Sequence, residues 1–223
     1  MEGRTHLFCT GMFVFAGLFA IFKMGHIGVA DAAFLFFASL IGALLPDVDA
    51  LHSLATKIKL RGPGEYFAYF VRFIALVTKY LLFSALGILL FISGRKGAKH
   101  RGIMHSFKGL VLVGLFWLIA GWLFLEYFRL GKYFPALSFS IIGLVFGYLM
   151  HLWHDGLTIG GVELMGGLKF SGWLRTGKHE WMLQLFFLIS CAFSAHISNA
   201  ISPLYGLAIL LLALPASFLL FGR

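Results

Sequence analysis

Six apolar stretches, residues 7–22, 32–45, 107–125, 134–152, 182–197 and 204–221, are almost free of Asp, Glu, Lys and Arg. A helix needs roughly 20 mostly apolar residues to cross the hydrocarbon of a bilayer, and fewer when flanking side chains snorkel to the headgroups. The second stretch gains length if residues 27–31 join it, with Asp31 in its first turn, where an acidic side chain favours a helix start. The composition agrees: 60% of the chain is hydrophobic and 12% charged, where a soluble domain carries about 25% charged residues. That balance excludes intrinsic disorder and a solvated coiled coil. Only Cys9 and Cys191 are present, both inside apolar runs, which excludes a disulfide-stapled secreted domain. The expected fold is all-α: a polytopic membrane helix bundle of about six to eight transmembrane or re-entrant helices, forming a single domain over residues 1–223.

Residues 52–99 read differently. Residues 66–77 are apolar but carry Arg72, and residues 80–93 are apolar but short, so this segment reads as interfacial or re-entrant helices. The basic residues constrain its path. If it crosses an even number of times, 15 of the 18 Lys and Arg fall on the side of the N-terminus, leaving Lys23, Arg129 and Lys132 opposite. Basic loops stay in the cytoplasm, so the N-terminal side is expected to be cytoplasmic. The net charge of +9 then describes contact with anionic headgroups and not with nucleic acid. The first run has signal-peptide ingredients in Arg4, an apolar core and Val29-Ala30-Asp31-Ala32, but a second apolar run follows at once and the first is expected to be retained.

The few ionisable residues are not scattered. His6, Asp47, Asp49, His100, His105, His151, His154 and Asp155 all fall at the ends of spans on the N-terminal side, and ionisable groups at membrane depth are expensive enough to be functional candidates. His151 and Asp155 share a helix face at a four-residue spacing, as do His151 and His154 at three. One helix can offer imidazole nitrogen and carboxylate oxygen to a metal ion in this way, although a plain helix-end hydrogen bond has the same spacing. Asp47 and Asp49 follow Pro46, which a regular helix does not continue through. They either cap the next helix or, as two carboxylates without a Lys or Arg before Lys57, enclose a cation. His100 and His105, five residues apart, do not align on one helix face but can converge from a loop and a helix start, with Gly102 allowing the bend. Arg101 between them is suited to holding a phosphate or carboxylate. His26, His52 and His196 read as surface anchors, while Glu180 beside His179 is placed to accept a hydrogen bond from it.

Taken in order, Thr5-His6, Leu45-Pro46-Asp47-Val48-Asp49, His100-Arg101-Gly102-Ile103-Met104-His105-Ser106 and Gly147-Tyr148-Leu149-Met150-His151, continuing to Asp155 and Thr158, closely resemble one family. It is the YdjM-like group of bacterial and archaeal inner-membrane proteins described as membrane-bound metal-dependent hydrolases. The resemblance implies metal ligands at His6, Asp47, Asp49, His100, His105, His151 and Asp155, with Asp49, His105 and Arg101 in catalytic roles. Met104 stands where that family often has Thr, and His154 falls outside its pattern and reads as a neighbour. The family is also similar to helical zinc phospholipase C-like enzymes, whose clustered His and Asp hold several zinc ions.

Seven N and O ligands exceed the four of a tetrahedral zinc and suit two divalent ions, zinc foremost with manganese or magnesium as alternatives. Paired ions about 3.5–4 Å apart suit in-line displacement at phosphorus. The expected activity is hydrolysis of a phosphoester of a phospholipid or lipid-linked substrate at the cytoplasmic face of the inner membrane, with membrane lipids as the surroundings and no oligomeric state specified. A metal or ion transporter would use similar residues but near the bilayer midplane. A non-catalytic protein whose metal ties helix ends together is a further alternative. A membrane di-iron oxygenase uses HxxxH and HxxHH boxes where this chain has HxxxxH and HxxHD. The Arg that an acid-phosphatase-type enzyme places six residues before its His is Val145 here, and no HExxH of a zincin occurs.

Overall fold

A computed structural model of the chain describes residues 3–47, 64–82, 105–163 and 169–222. Its described residues form α1 Gly3–Lys23, α2 Val29–Gly42, α3 Gly64–Val77, α4 Phe107–Tyr127, α5 Phe134–Gly156, α6 Glu180–Ala200 and α7 Pro203–Phe221. Six helices are long and apolar enough to cross a membrane, and they coincide with the six apolar runs. α3 is not one of them. It carries Arg72 and continues into a π-helical turn, Thr78–Leu82. Among the described residues the only β-strands are those of an antiparallel ribbon, β1 Val162–Glu163 and β2 Lys169–Phe170, in the α5–α6 connection, beside two isolated bridges, Thr158 with Leu174 and Gly172 with Gly222.

Local sequence accounts for the helix ends. Asp31 lies in the first turn of α2, as expected, where its charge meets the positive end of the helix dipole. α2 stops at Gly42, and Leu45–Asp47 makes a 3-10 turn around Pro46, whose ring and missing N–H prevent the helix from continuing. Ser106 starts α4 by accepting a hydrogen bond from the Gly109 amide at 3.3 Å. Ser202 does the same for α7, accepting from Leu204, with Pro203 in the first helical position.

α5 is the central helix, with a hydrophobic core on each side. Its residues Leu144, Tyr148 and Leu152, four apart, pack with Ile41 and Leu45, Val71 and Ile74 of α3, and Leu110 and Val113 of α4. Met150 and Leu157 instead join Cys9 and Phe13 of α1, Leu183 and Phe187 of α6, and Leu210 of α7. The outward faces carry large apolar side chains, among them Phe15, Leu123, Phe193 and Leu212, more than half exposed as a lipid-facing surface is. The outer face of α3 is rich in aromatics, with Tyr66, Tyr69, Phe70, Phe73 and Tyr80 exposed and the Arg72 guanidinium 5.9 Å from the Tyr69 ring.

The closest helix pairing is α2 against α5. Glycine makes it possible: a Cβ at Gly143 or Gly147 would overlap the backbone of Leu35 or Ser39, and one at Gly42 would overlap that of Leu144. Small residues let membrane helices approach until backbones touch, which is where van der Waals packing replaces the missing hydrophobic drive. The consequence for the site is that the C-terminal end of α2 is held directly against the last turns of α5.

Candidate metal centre

The six long helices alternate in direction, so one end of the bundle gathers the N-termini of α1, α4 and α6 and the C-termini of α2, α5 and α7. Lys23 marks the other end, donating to Asn199 at 2.8 Å between the last turns of α1 and α6. His6 lies in the first turns of α1, Asp47 just after α2, His105 just before α4, and His151 and Asp155 in the last turns of α5. These five sequence-predicted residues converge. His105 Nε2 is 3.0 Å from Asp47 Oδ1 and 3.7 Å from Asp155 Oδ2. His151 Nε2 is 3.3 Å from Asp155 Oδ2 and 3.9 Å from Asp47 Oδ1. His6 Nε2 is 3.3 Å from Asp155 Oδ1, with its ring stacked on that of His151 at 3.8 Å between centroids. Asp47 and His105 therefore sit at one end of the bundle, as an even number of crossings between them requires. Asp49, His100 and Arg101 lie outside the described residues.

The hydrogen bonding of His151 decides what the cluster needs. Its Nδ1 is 2.7 Å from the Ala43 carbonyl, which can only accept, so Nδ1 carries the proton. Nε2 of the neutral ring is then a lone pair, and it faces two carboxylates. Three acceptors pointing at one another in a buried space repel unless cations lie between them. Protons on the imidazoles or a metal ion meet that need, and a metal uses every donor in its ligating form. An ion held at about 2.1 Å keeps neighbouring donors about 3.0 Å apart in octahedral and about 3.4 Å in tetrahedral geometry. Three of the five separations, 3.0, 3.3 and 3.3 Å, fall in or at that range. The donors form two triads, His6–His151–Asp155 and Asp47–His105–His151, each with its ligand atoms within 4.8 Å of one another. They share His151 Nε2, and one lone pair binds one ion, so the described donors make up one full site and part of another.

Exposure is graded across the cluster. His6 and His151 are fully buried, whereas the Asp47, Asp155 and His105 side chains are 21%, 13% and 11% exposed, so Asp47 is the most open donor.

The residues next to the donors are explained by what they touch. Gly147 permits the approach of α2. Thr158 donates to the Asp155 carbonyl at 2.7 Å and pairs with Leu174, closing the end of α5 beneath the site. Ser106 starts the helix that follows His105. Thr5 donates to Glu180 Oε2 at 2.5 Å and accepts from Gln184 at 3.0 Å, anchoring the start of α1 on α6. Glu180 also accepts from the Gly177 amide. Beyond the acceptor role toward His179 that the sequence suggests, Glu180 thus binds Thr5 and Gly177, because α1 packs along the first turns of α6; the His179 ring lies 5.9 Å from that of Trp173. The Ala43 carbonyl was invisible to sequence reading, because any residue could supply it.

A polytopic helix bundle with His and Asp side chains from four of its segments gathered at one end, able to hold a metal ion, defines the class. The chain belongs to the YdjM inner membrane protein family, whose model matches residues 1–222. It is therefore an inner-membrane protein. No curated protein and no solved structure gives a significant match.

Proposed function

We propose that this chain is a membrane-bound metal-dependent hydrolase that cleaves a phosphoester of a phospholipid or lipid-linked substrate at the cytoplasmic face. The observation that carries the reading is the meeting of His6, Asp47, His105, His151 and Asp155 at a bundle end, where a lipid headgroup lies, and not at the midplane where transporters place their sites. A divalent ion held there supplies Lewis acidity toward a phosphoryl oxygen and brings the pKa of water toward neutrality. His6 and His151 form the buried wall, and their burial keeps the donor geometry fixed. Asp47 and His105 form the wall that a headgroup approaches, with the exposed Lys108 in the first turn of α4 favouring an anion. Asp49 and His100, outside the described residues, are the further donors that the family resemblance implies for a second ion, and Arg101 is the residue it implies for a phosphate.

The test uses the protein purified in detergent and reconstituted in vesicles of anionic and zwitterionic phospholipid. Elemental analysis is expected to find retained divalent metal, and headgroup or phosphate release is expected to disappear with a chelator and with His105→Ala. Retained metal without turnover of any phospholipid or lipid-linked phosphate would favour an ion that only ties helix ends together. Absence of metal, with turnover equal in wild type and His105→Ala, would refute the proposal.

A further inference from the structure

One buried imidazole is left over by the five-donor cluster. His154 is fully buried, and among the described residues neither of its ring nitrogens has a hydrogen-bond partner. An aromatic or aliphatic side chain would fill the same volume without two unsatisfied polar atoms, so packing alone does not account for it. Its ring lies 5.3 Å from that of Phe187, nearly perpendicular, and 5.6 Å from that of His6. Neither His6 nitrogen has a hydrogen-bond partner among the described residues: Nε2 is turned to Asp155 Oδ1 at 3.3 Å as a candidate ligand, and Nδ1 is left over.

A third group belongs to the same place. Thr10 is one turn along α1 from His6, fully buried, and its hydroxyl has no partner among the described residues. The next residue on that stripe, Phe13, packs its ring 6.1 Å from Phe187, which itself packs on His154. Thr10 is thus flanked on α1 by two residues that both face the His154–Phe187 surface. His6 Nδ1, Thr10 Oγ1 and the two His154 nitrogens are thus four buried polar atoms without partners among the described residues, carried by side chains on the facing surfaces of α1 and α5 beside Phe187.

The contrast with His151 gives these atoms their role. A ligating imidazole is oriented by what its second nitrogen bonds, ordinarily a carboxylate, a backbone carbonyl or a water. His151 has the Ala43 carbonyl for this; His6 has neither a carbonyl nor a carboxylate. We infer that His154 is the positioning residue of His6, holding with Thr10 a single water against His6 Nδ1. The water accepts from His6 Nδ1–H and donates to a His154 nitrogen and to Thr10 Oγ1, which satisfies three polar groups and fixes the His6 ring with Nε2 toward Asp155. This inference rests on reading the five-residue cluster as a metal site.

The test compares wild type, His154→Phe, His154→Gln and Thr10→Val in detergent. Zn²⁺ affinity is measured by competition with a chromophoric chelator, the visible spectrum is recorded with Co²⁺, and thermal unfolding is followed without metal. His154→Phe is expected to unfold at the wild-type temperature or above it while binding Zn²⁺ about 10- to 100-fold more weakly, with an altered Co²⁺ spectrum. His154→Gln, whose amide can hold the water, recovers part of the affinity, and the nearly isosteric Thr10→Val loses several-fold without loss of stability. A wild type that binds Zn²⁺ together with His154→Phe and Thr10→Val proteins of unchanged affinity and spectrum overturns the inference alone. A wild type that binds no Zn²⁺ overturns the metal reading, and the inference with it.

Discussion

Substituting Gly147 by alanine tests whether the site depends on the contact between α2 and α5. The added methyl would meet the Ser39 carbonyl and the Ala43 amide, and both are backbone atoms that no rotamer change can move aside. The two helices must therefore part by about 1 Å, and overpacking of this kind costs about 1–3 kcal/mol. Alanine recovers up to about 1 kcal/mol of helix propensity, which is too little to offset a backbone clash. The displacement also stretches the bond from His151 Nδ1 to the Ala43 carbonyl, now 2.7 Å, which is worth about 1 kcal/mol and sets the orientation of a ligand. The net expectation is about 1–3 kcal/mol of lost stability, read as a fall of about 2–12 °C in Tm, and Zn²⁺ affinity about 10- to 100-fold weaker. Gly131→Ala is the control, because a Cβ there meets open space, and it should stay within about 0.5 kcal/mol of wild type. A Gly147→Ala protein that unfolds with wild-type Tm and binds Zn²⁺ as tightly would refute the argument that direct backbone contact places Asp47 beside His151.

Two further outcomes follow from the hydrogen bonds around the donors. Thr5→Val removes a donor from the buried Glu180 and should destabilise by about 1.5–3 kcal/mol, the range for a hydrogen bond to a charged group, while Thr5→Ser retains most of it in thermal unfolding. Ser106→Ala removes the start signal of α4 and should lower stability by about 1 kcal/mol in chemical denaturation, with Ser106→Asp close to wild type.

The spans were legible because a bilayer imposes a length and a polarity that no other environment demands, and the nearly charge-free runs matched the six long helices to within four residues at each end. Residues 52–99 resisted for the same reason. Arg72 and Lys79 interrupt the apolar pattern, and α3 accommodates Arg72 by laying it toward Tyr69 while Val71, Ile74 and Ala75 face the core. The donors were legible in part: His151 and Asp155 announce themselves by spacing on one helix, and Asp47 by its proline. His6 was not, since nothing local distinguishes it from an anchor at a membrane surface. Its assignment came from resemblance, and its setting comes from contacts with α5 about 150 residues away. Thr5 and Glu180 were unpaired in the sequence for the same reason, as they are 175 positions apart. Backbone contributions left no trace at all, since the glycines on α5 reveal where helices touch only once α2 lies against them.

Ala43 caps the C-terminal end of α2, where the last carbonyls of a helix have no partner within it. By donating to that carbonyl, His151 completes the end of one helix and fixes its own tautomer in the same bond. Both candidate triads include His151, and each also draws on a segment more than 40 residues upstream. A chain emerging into the membrane from its N-terminus therefore holds neither triad until α5 has inserted and docked on α2. Metal capture is in this sense a late event in biogenesis, and ions bound by both triads would report that α1, α2, α4 and α5 have found their places.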